Sequence, residues 1–217
     1  MEIQIMKSRR SFFTLMGLTL VLGATTALTA PQDGQVVKDD KAKVGNAAPA
    51  FTLNDTEGKE VSLSDFEGHI VVLQWINPQC PVCVRCMESG LVTAMAKELK
   101  ELDANIVHLA INSTHSQTPE HTAEYLKEYK LEVPGLVDSE GKVGKLYGAK
   151  TTPHMFVIDA EGVLRYAGAF DNDPRGSRDD ATNYAVNAVK LILAGETVEP
   201  AETKPYGCNV KYKPITN

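Results

Sequence analysis

Three of the four cysteines in this 217-residue chain, Cys80, Cys83 and Cys86, fall within seven residues. Cys80-Pro81-Val82-Cys83 follows the apolar, β-branched run of residues 70–76 (IVVLQWI) after a short loop, and it opens a segment with a helical apolar stripe. A thiol at a helix start meets unpaired N–H groups and the positive end of the helix dipole, and both favour its anion. This predicts Cys80 as the exposed nucleophile. Cys83 lies one turn inside the helix, near enough to close a disulfide with it. Pro81 suits the first helical position and stiffens the loop. Such a pair exchanges two electrons with another dithiol through a mixed disulfide. Cys-x-x-Cys also occurs in zinc sites, but a strand before and a helix after favour the redox reading. Cys86, at i+3 from Cys83, reads as a small buried hydrophobe, an alternative disulfide partner or a third metal ligand. A ferredoxin-type cluster wants a further cysteine followed by proline, and none occurs. Cys208 stands apart, near the C-terminus. A disulfide with Cys80 or Cys83, as a resolving or capping thiol, an intermolecular disulfide and an unpaired thiol all remain open.

The elements that position these residues follow from periodicity. Residues 70–76 suit a central strand buried on both faces. Apolar residues then recur at Leu91, Met95, Leu99 and Leu102, which predicts one helix from Val82 to Leu102. Residues 105–111 (NIVHLAI) read as the next strand. Thr118-Pro119 marks a helix start running to Lys130, residues 134–137 a short strand, and residues 142–147 a short helix stopped by Gly148. Residues 155–159 and 163–168 form two strands joined by a hairpin turn, and residues 182–194 a last helix. The order β-α-β-α-β-α-β-β-α implies an α/β fold, a mixed central sheet with helices on both faces.

Apolar residues make up 43% and charged residues 23% of the chain, the balance of an ordinary globular body. The net charge is −6, and the basic Lys7, Arg9 and Arg10 sit in the first thirty residues, so the body is more acidic still. That excludes a nucleic-acid backbone as partner. Lys7-Ser8-Arg9-Arg10, then an apolar run from Phe12 to Ala24, then small residues, is the layout of a secretory signal peptide over residues 1–30. Ser8–Phe13 also resembles the twin-arginine export signal. An exported, periplasmic or extracytoplasmic body is expected, touching the membrane only through an uncleaved signal segment. Residues 31–43 read as a linker, 44–195 as the globular domain and 196–217 as a polar tail carrying Cys208.

Further segments carry a family resemblance. Residues 148–159 (GAKTTPHMFVID) resemble the cis-proline segment of the thioredoxin fold, about seventy residues after Cys80. Residues 44–51 (VGNAAPAF) with Leu63–Phe66 look like the peroxiredoxin-like redoxins of the alkyl hydroperoxide reductase/thiol-specific antioxidant branch. Asn77-Pro78-Gln79-Cys80-Pro81, Thr152–Val157 with Arg165-Tyr166, and the tail Pro205–Tyr212 are similar to one peroxiredoxin-like group of redoxins. The resemblance implies a thioredoxin-like fold whose cis-proline loop faces the cysteine pair. It makes Thr152, Pro153 and His154 the substrate-binding residues, with substrate held as an added strand. His154 should then lie near Cys80, as a cation beside the thiolate, a metal ligand or a rim residue. Arg165 approaches the active site from the neighbouring strand.

Two positions depart from the peroxidase pattern that the resemblance implies. Asn77 stands where a threonine three residues before the cysteine is usual, and Pro153 where an arginine beside the thiolate is usual. Gln74, near the place of the buried acid of thioredoxins, cannot take a proton. The reading is therefore a thiol–disulfide oxidoreductase acting on protein or small-molecule thiols and disulfides and restored by an external reductant, with no cofactor. A thiol peroxidase is one alternative. A copper or zinc carrier using Cys80, Cys83 and His154, with Cys86 as a further candidate, is the other. His69, His108, His115 and His121 show no paired spacing; His108, mid-strand, reads as structural. The acidic loop Asp171–Asp180 reads as solvated surface rather than a calcium site.

Overall fold

The structure is a computed structural model that describes residues 41–214. The expected signal peptide (1–30) and residues 31–40 of the expected linker lie outside the described residues. Strands β1 (Thr52–Asp55) and β2 (Glu60–Ser62) form an antiparallel hairpin with Thr52 opposite Ser62. The Asp55 carboxylate closes its turn by accepting the N–H groups of Glu57 and Lys59 at 2.8 and 2.9 Å. This hairpin is absent from the sequence-based element order, because its short, half-exposed strands show no clear alternation.

Strand β3 (Val71–Trp75) is buried along its whole length and lies near the centre of the sheet. Helix α1 (Pro81–Glu88) begins directly after the loop that follows it, and helix α2 (Leu91–Leu102) comes next. The single helix expected here is broken at Ser89-Gly90, where Gly90 adopts a left-handed φ of 73° that ends one helix and starts the next. Strand β4 (Val107–Asn112) runs parallel to β3, helix α3 (Pro119–Glu128) follows, and β5 (Gly135–Val137) runs parallel to β4. After helix α4 (Lys142–Tyr147) come β6 (Thr151–Thr152), β7 (His154–Ile158) and β8 (Leu164–Gly168), then helix α5 (Tyr184–Leu193) and β9 (Cys208–Asn209).

The main sheet has the order β2-β1-β5-β4-β3-β7-β8. Its two faces follow from the two-residue period of the strands. Val72, Ile76, Met155, Val157 and Tyr166 face one layer, packed with Met87 of α1, Val92, Met95 and Leu99 of α2, Tyr125 of α3 and Val189 of α5. Val71, Leu73, Trp75, Phe156 and Ile158 face the other, packed with Val143 and Tyr147 of α4 and Phe51. Each such fully buried side chain contributes about 1.5–3 kcal/mol of apolar burial. Trp75 anchors the end of β3. Its Nε1 donates to Ser113 Oγ at 2.9 Å, Ser113 donates to Asp138 at 2.6 Å, and its ring meets Phe156 edge-on at 5.0 Å. The loop that carries Cys80 leaves from this braced end.

The segment after α5 is strapped to the sheet rather than extended into solvent. The Ala167 N–H donates to Ala201 O at 3.1 Å, and Thr203 Oγ1 accepts the Ala169 N–H at 2.8 Å. Further on, Tyr212 donates its hydroxyl hydrogen to Ala149 O at 2.7 Å, and Lys213 pairs with Glu140.

Candidate active site

Cys80 is the N-cap of α1 and Pro81 occupies its first turn. Two local hydrogen bonds shape the loop before it: Asn77 Oδ1 accepts the Gln79 N–H at 2.8 Å, and Asn77 O accepts the Cys80 N–H at 2.9 Å. Asn77, which replaces the expected threonine, therefore builds the loop. Its Oδ1 also accepts from Gln117 Nε2 at 3.4 Å, and Gln117 in turn accepts from Asn112, which binds Thr122 as well. This buried amide network braces the underside of the loop. Sequence reasoning passed over it, because Asn112, Gln117 and Thr122 come together only in the fold.

The Cys80 Sγ lies 3.1 Å from Thr152 O, and in its protonated form it donates to that carbonyl. Thr152 precedes Pro153 through a cis peptide bond. The cysteine pair and the Thr152-Pro153 segment, seventy residues apart, are thus in direct contact. The Cys83 thiol is the foremost donor to the Cys80 sulfur, and with Cys208, Thr152 and the Cys83 backbone N–H it outweighs burial, drawing the Cys80 pKa down to about 4. The helix N-terminus acts in the same direction. The Thr152 carbonyl opposes it, since an acceptor favours the protonated thiol. Burial pushes Cys83 the other way, well above the ordinary thiol value, and the neighbouring Cys80 anion adds to that. One sulfur is therefore ionised at neutral pH while its neighbour keeps the proton.

The expectation of an exposed Cys80 needs correction: the residue is only 1% exposed. It is buried against Thr152 and Cys208, not withdrawn from the proline loop. Cys83 and Cys86 are buried as well, and burial raises the Cys86 thiol. All four cysteines are free thiols, and Cys208 alone keeps partial exposure.

His154 does not join the cysteine pair. It lies opposite Trp75 in the β3–β7 register and shares the strand face of Phe156, whose ring it meets at 4.5 Å. Cys80 packs with the other face. The Nδ1 of His154 accepts the Lys150 N–H at 3.1 Å, and burial lowers its pKa to about 4. The ring is neutral, so the cationic role is closed to it. Among the described residues no three His, Cys, Asp or Glu side chains gather to hold a metal ion, so the carrier built on Cys80, Cys83 and His154 is not assembled. Arg165 is also displaced from its expected place. It pairs with Asp159 beyond the opposite end of β7, where Ile158 lies beside Val71. Gln74 is spent on His108, whose Nε2 is 2.9 Å from Gln74 Oε1. The acidic loop is less solvated than expected: Asp171 and Asp173 are buried and accept loop N–H groups.

A mixed sheet with helices on both faces, and a cysteine pair opening a helix against a cis-proline loop, define an oxidoreductase of the thioredoxin-like redoxin class. The chain belongs to the AhpC/TSA family, whose model matches residues 44–167. It is similar to the thiol-disulfide oxidoreductase ResA of Bacillus thuringiensis subsp. konkukian, 31% identical over 72% of this chain and 86% of that protein. The chloroplastic peroxiredoxin Q of Oryza sativa subsp. japonica is 28% identical over 70% of each chain. Among solved structures, a hypothetical protein of Sinorhizobium meliloti 1021 superposes with a TM-score of 0.68 at 28% identity, covering 80% of this chain and 96% of that one.

Proposed function

We propose that the protein is an exported thiol–disulfide oxidoreductase in which Cys80 is the nucleophile and Cys83 the resolving thiol. The observation that carries this reading is the asymmetry of the pair: Cys80 is drawn down by donors at the helix start, while Cys83 beside it keeps its proton. The Cys80 thiolate attacks a substrate disulfide, and one substrate sulfur leaves as a thiolate that takes up a proton. Cys83 then loses its proton and attacks the Cys80 sulfur. The second substrate thiol is released and the Cys80–Cys83 disulfide remains. An external reductant restores the dithiol. Thr152 and Pro153 are the contact surface for the substrate, and the backbone beside them supplies a strand edge. The likeness to the thiol-disulfide oxidoreductase ResA supports exchange chemistry, and the signal-type N-terminus of the sequence supports a place of action outside the cytoplasm.

The peroxidase alternative is less well supported. The Asn77 side chain is committed to Gln79 and Gln117, and Pro153 offers no cation. Insulin-disulfide reduction with a regenerating dithiol tests the assignment. Cys80→Ser abolishes turnover, and protein carrying both Cys83→Ser and Cys208→Ser stops after one attack and accumulates a mixed disulfide. Full activity in the Cys80→Ser variant rejects the nucleophile. Recovery of the mature chain from the cell envelope, starting near residue 31, tests export.

A further inference from the structure

The edge that a substrate strand would use is already occupied. Strand β9 pairs antiparallel with β6, with Asn209 opposite Thr151 and Cys208 opposite Thr152. Thr152 is the residue whose carbonyl accepts the Cys80 thiol. The approach is close enough to demand glycine before the cysteine. Gly207 has a φ of 113°, and a Cβ there would lie 2.1 Å from Thr152 O. Anchors on both sides hold the segment in register. Before it, Tyr206 donates its hydroxyl hydrogen to Asp171 at 2.5 Å. After it, the Val210 N–H donates to Lys150 O at 3.1 Å, and Lys211 O accepts the His115 N–H at 3.0 Å. Between these anchors Cys208 packs against the cluster that contains Cys80 and Cys83.

We propose that residues 207–209 are a tethered substrate strand and that Cys208 is a third redox thiol, exchanging directly with Cys80. The proposal rests on the reading of Cys80 as nucleophile. In a mixed disulfide of Cys80 with substrate, the Cys208 thiolate attacks the Cys80 sulfur. The Cys80–Cys208 bond forms, the Cys80–substrate bond breaks, and the substrate leaves as a thiolate that takes the proton lost by Cys208. The two enzyme thiols are oxidised and the substrate disulfide is reduced. From the Cys80–Cys83 disulfide the same attack expels Cys83 and only moves the bond. Burial first, and then the hydrogen bond to Cys80, keep the proton on Cys208 in the dithiol state, so the strand also caps the thiolate. Because Cys208 is the least buried of the four, an external reductant meets the oxidised site there first.

The test uses full-length Cys83→Ser protein treated with glutathione disulfide, followed by disulfide mapping of its peptides. The expected product is an intramolecular Cys80–Cys208 bond with release of glutathione. The same protein also carrying Cys208→Ser retains glutathione on Cys80. Stable glutathionylation of Cys80 with Cys208 still present overturns the proposal and leaves Cys80 as nucleophile. No modification of Cys80 overturns both readings. A second variant, Gly207→Val, forces the strand from its edge without touching a thiol. It speeds labelling of Cys80 by a bulky maleimide at least about tenfold, since the cover is lost. An unchanged labelling rate overturns the capping role.

Discussion

The pH profile of Cys80 alkylation is the most direct test of the electrostatics at the helix start. At pH 6 a thiol with the ordinary value of 9.0 is ionised about once in a thousand molecules, whereas Cys80, with its pKa near 4, is almost wholly ionised. The thiolate population therefore rises about 1000-fold. Nucleophilicity falls as the pKa falls, and a Brønsted coefficient of about 0.4–0.5 over this span costs about 100–300-fold per thiolate. The net expectation at pH 6 is a rate about 3–10 times that of an ordinary thiol of equal access. The shape decides more than the height. Between about pH 5.5 and 8 the Cys80 rate is flat, while an ordinary thiol gains about tenfold per pH unit. Burial under β9 lowers the whole curve by the fraction of time the site is open without tilting it. The assay is iodoacetamide labelling of reduced protein, read at Cys80 by fragment mass spectrometry, with the urea-unfolded chain as reference. Cys83→Ala, which removes the foremost donor, moves the inflection to higher pH. A Cys80 rate that climbs tenfold per pH unit through neutrality, parallel to the unfolded reference, refutes the reasoning.

Two further outcomes concern stability. His108 and His154 are held neutral by burial, with folded values of about 4 against an ordinary 6.5, so the unfolded chain binds more protons once the pH falls below 6.5. Stability is full above that point and is lost as the pH falls toward 4, by up to about 3 kcal/mol for each histidine. Urea midpoints measured across this range check it; His108→Gln and His154→Gln together flatten the slope, and an unaltered slope sinks the assignment. Gly144→Ala places a Cβ 2.6 Å from the Tyr212 hydroxyl and 2.7 Å from Ser113 Oγ, in a region that anchors the tail. It lowers stability by about 1–3 kcal/mol, read as a fall in melting temperature, and raises Cys80 labelling as β9 loosens.

The residues proposed to do the chemistry were legible in the sequence because their signals are local. A thiol before Pro81, after a β-branched run and at the head of an apolar stripe, carries its helix-start geometry within a few residues. The same holds for β3, whose unbroken apolar run states its burial on both faces. The cis-proline loop came from resemblance, and its contact with Cys80 spans 72 positions. What tertiary structure alone decided is what covers and flanks that sulfur. The pairing of Cys208 with Thr152 joins positions 56 apart, and no local pattern specifies its register. His154 was misplaced by proximity in sequence: adjacent residues on a strand point to opposite faces, so standing next to Pro153 put its ring on the Phe156 side. Arg165 and the acidic loop turned likewise on partners elsewhere in the chain, Asp159 for the one and Tyr206 for the other. Capping and periodicity act over a turn or a strand, and they place the proposed nucleophile. Burial, access and proton sharing depend on contacts made only after distant segments have closed on one another, and these determine how that nucleophile is covered and reached.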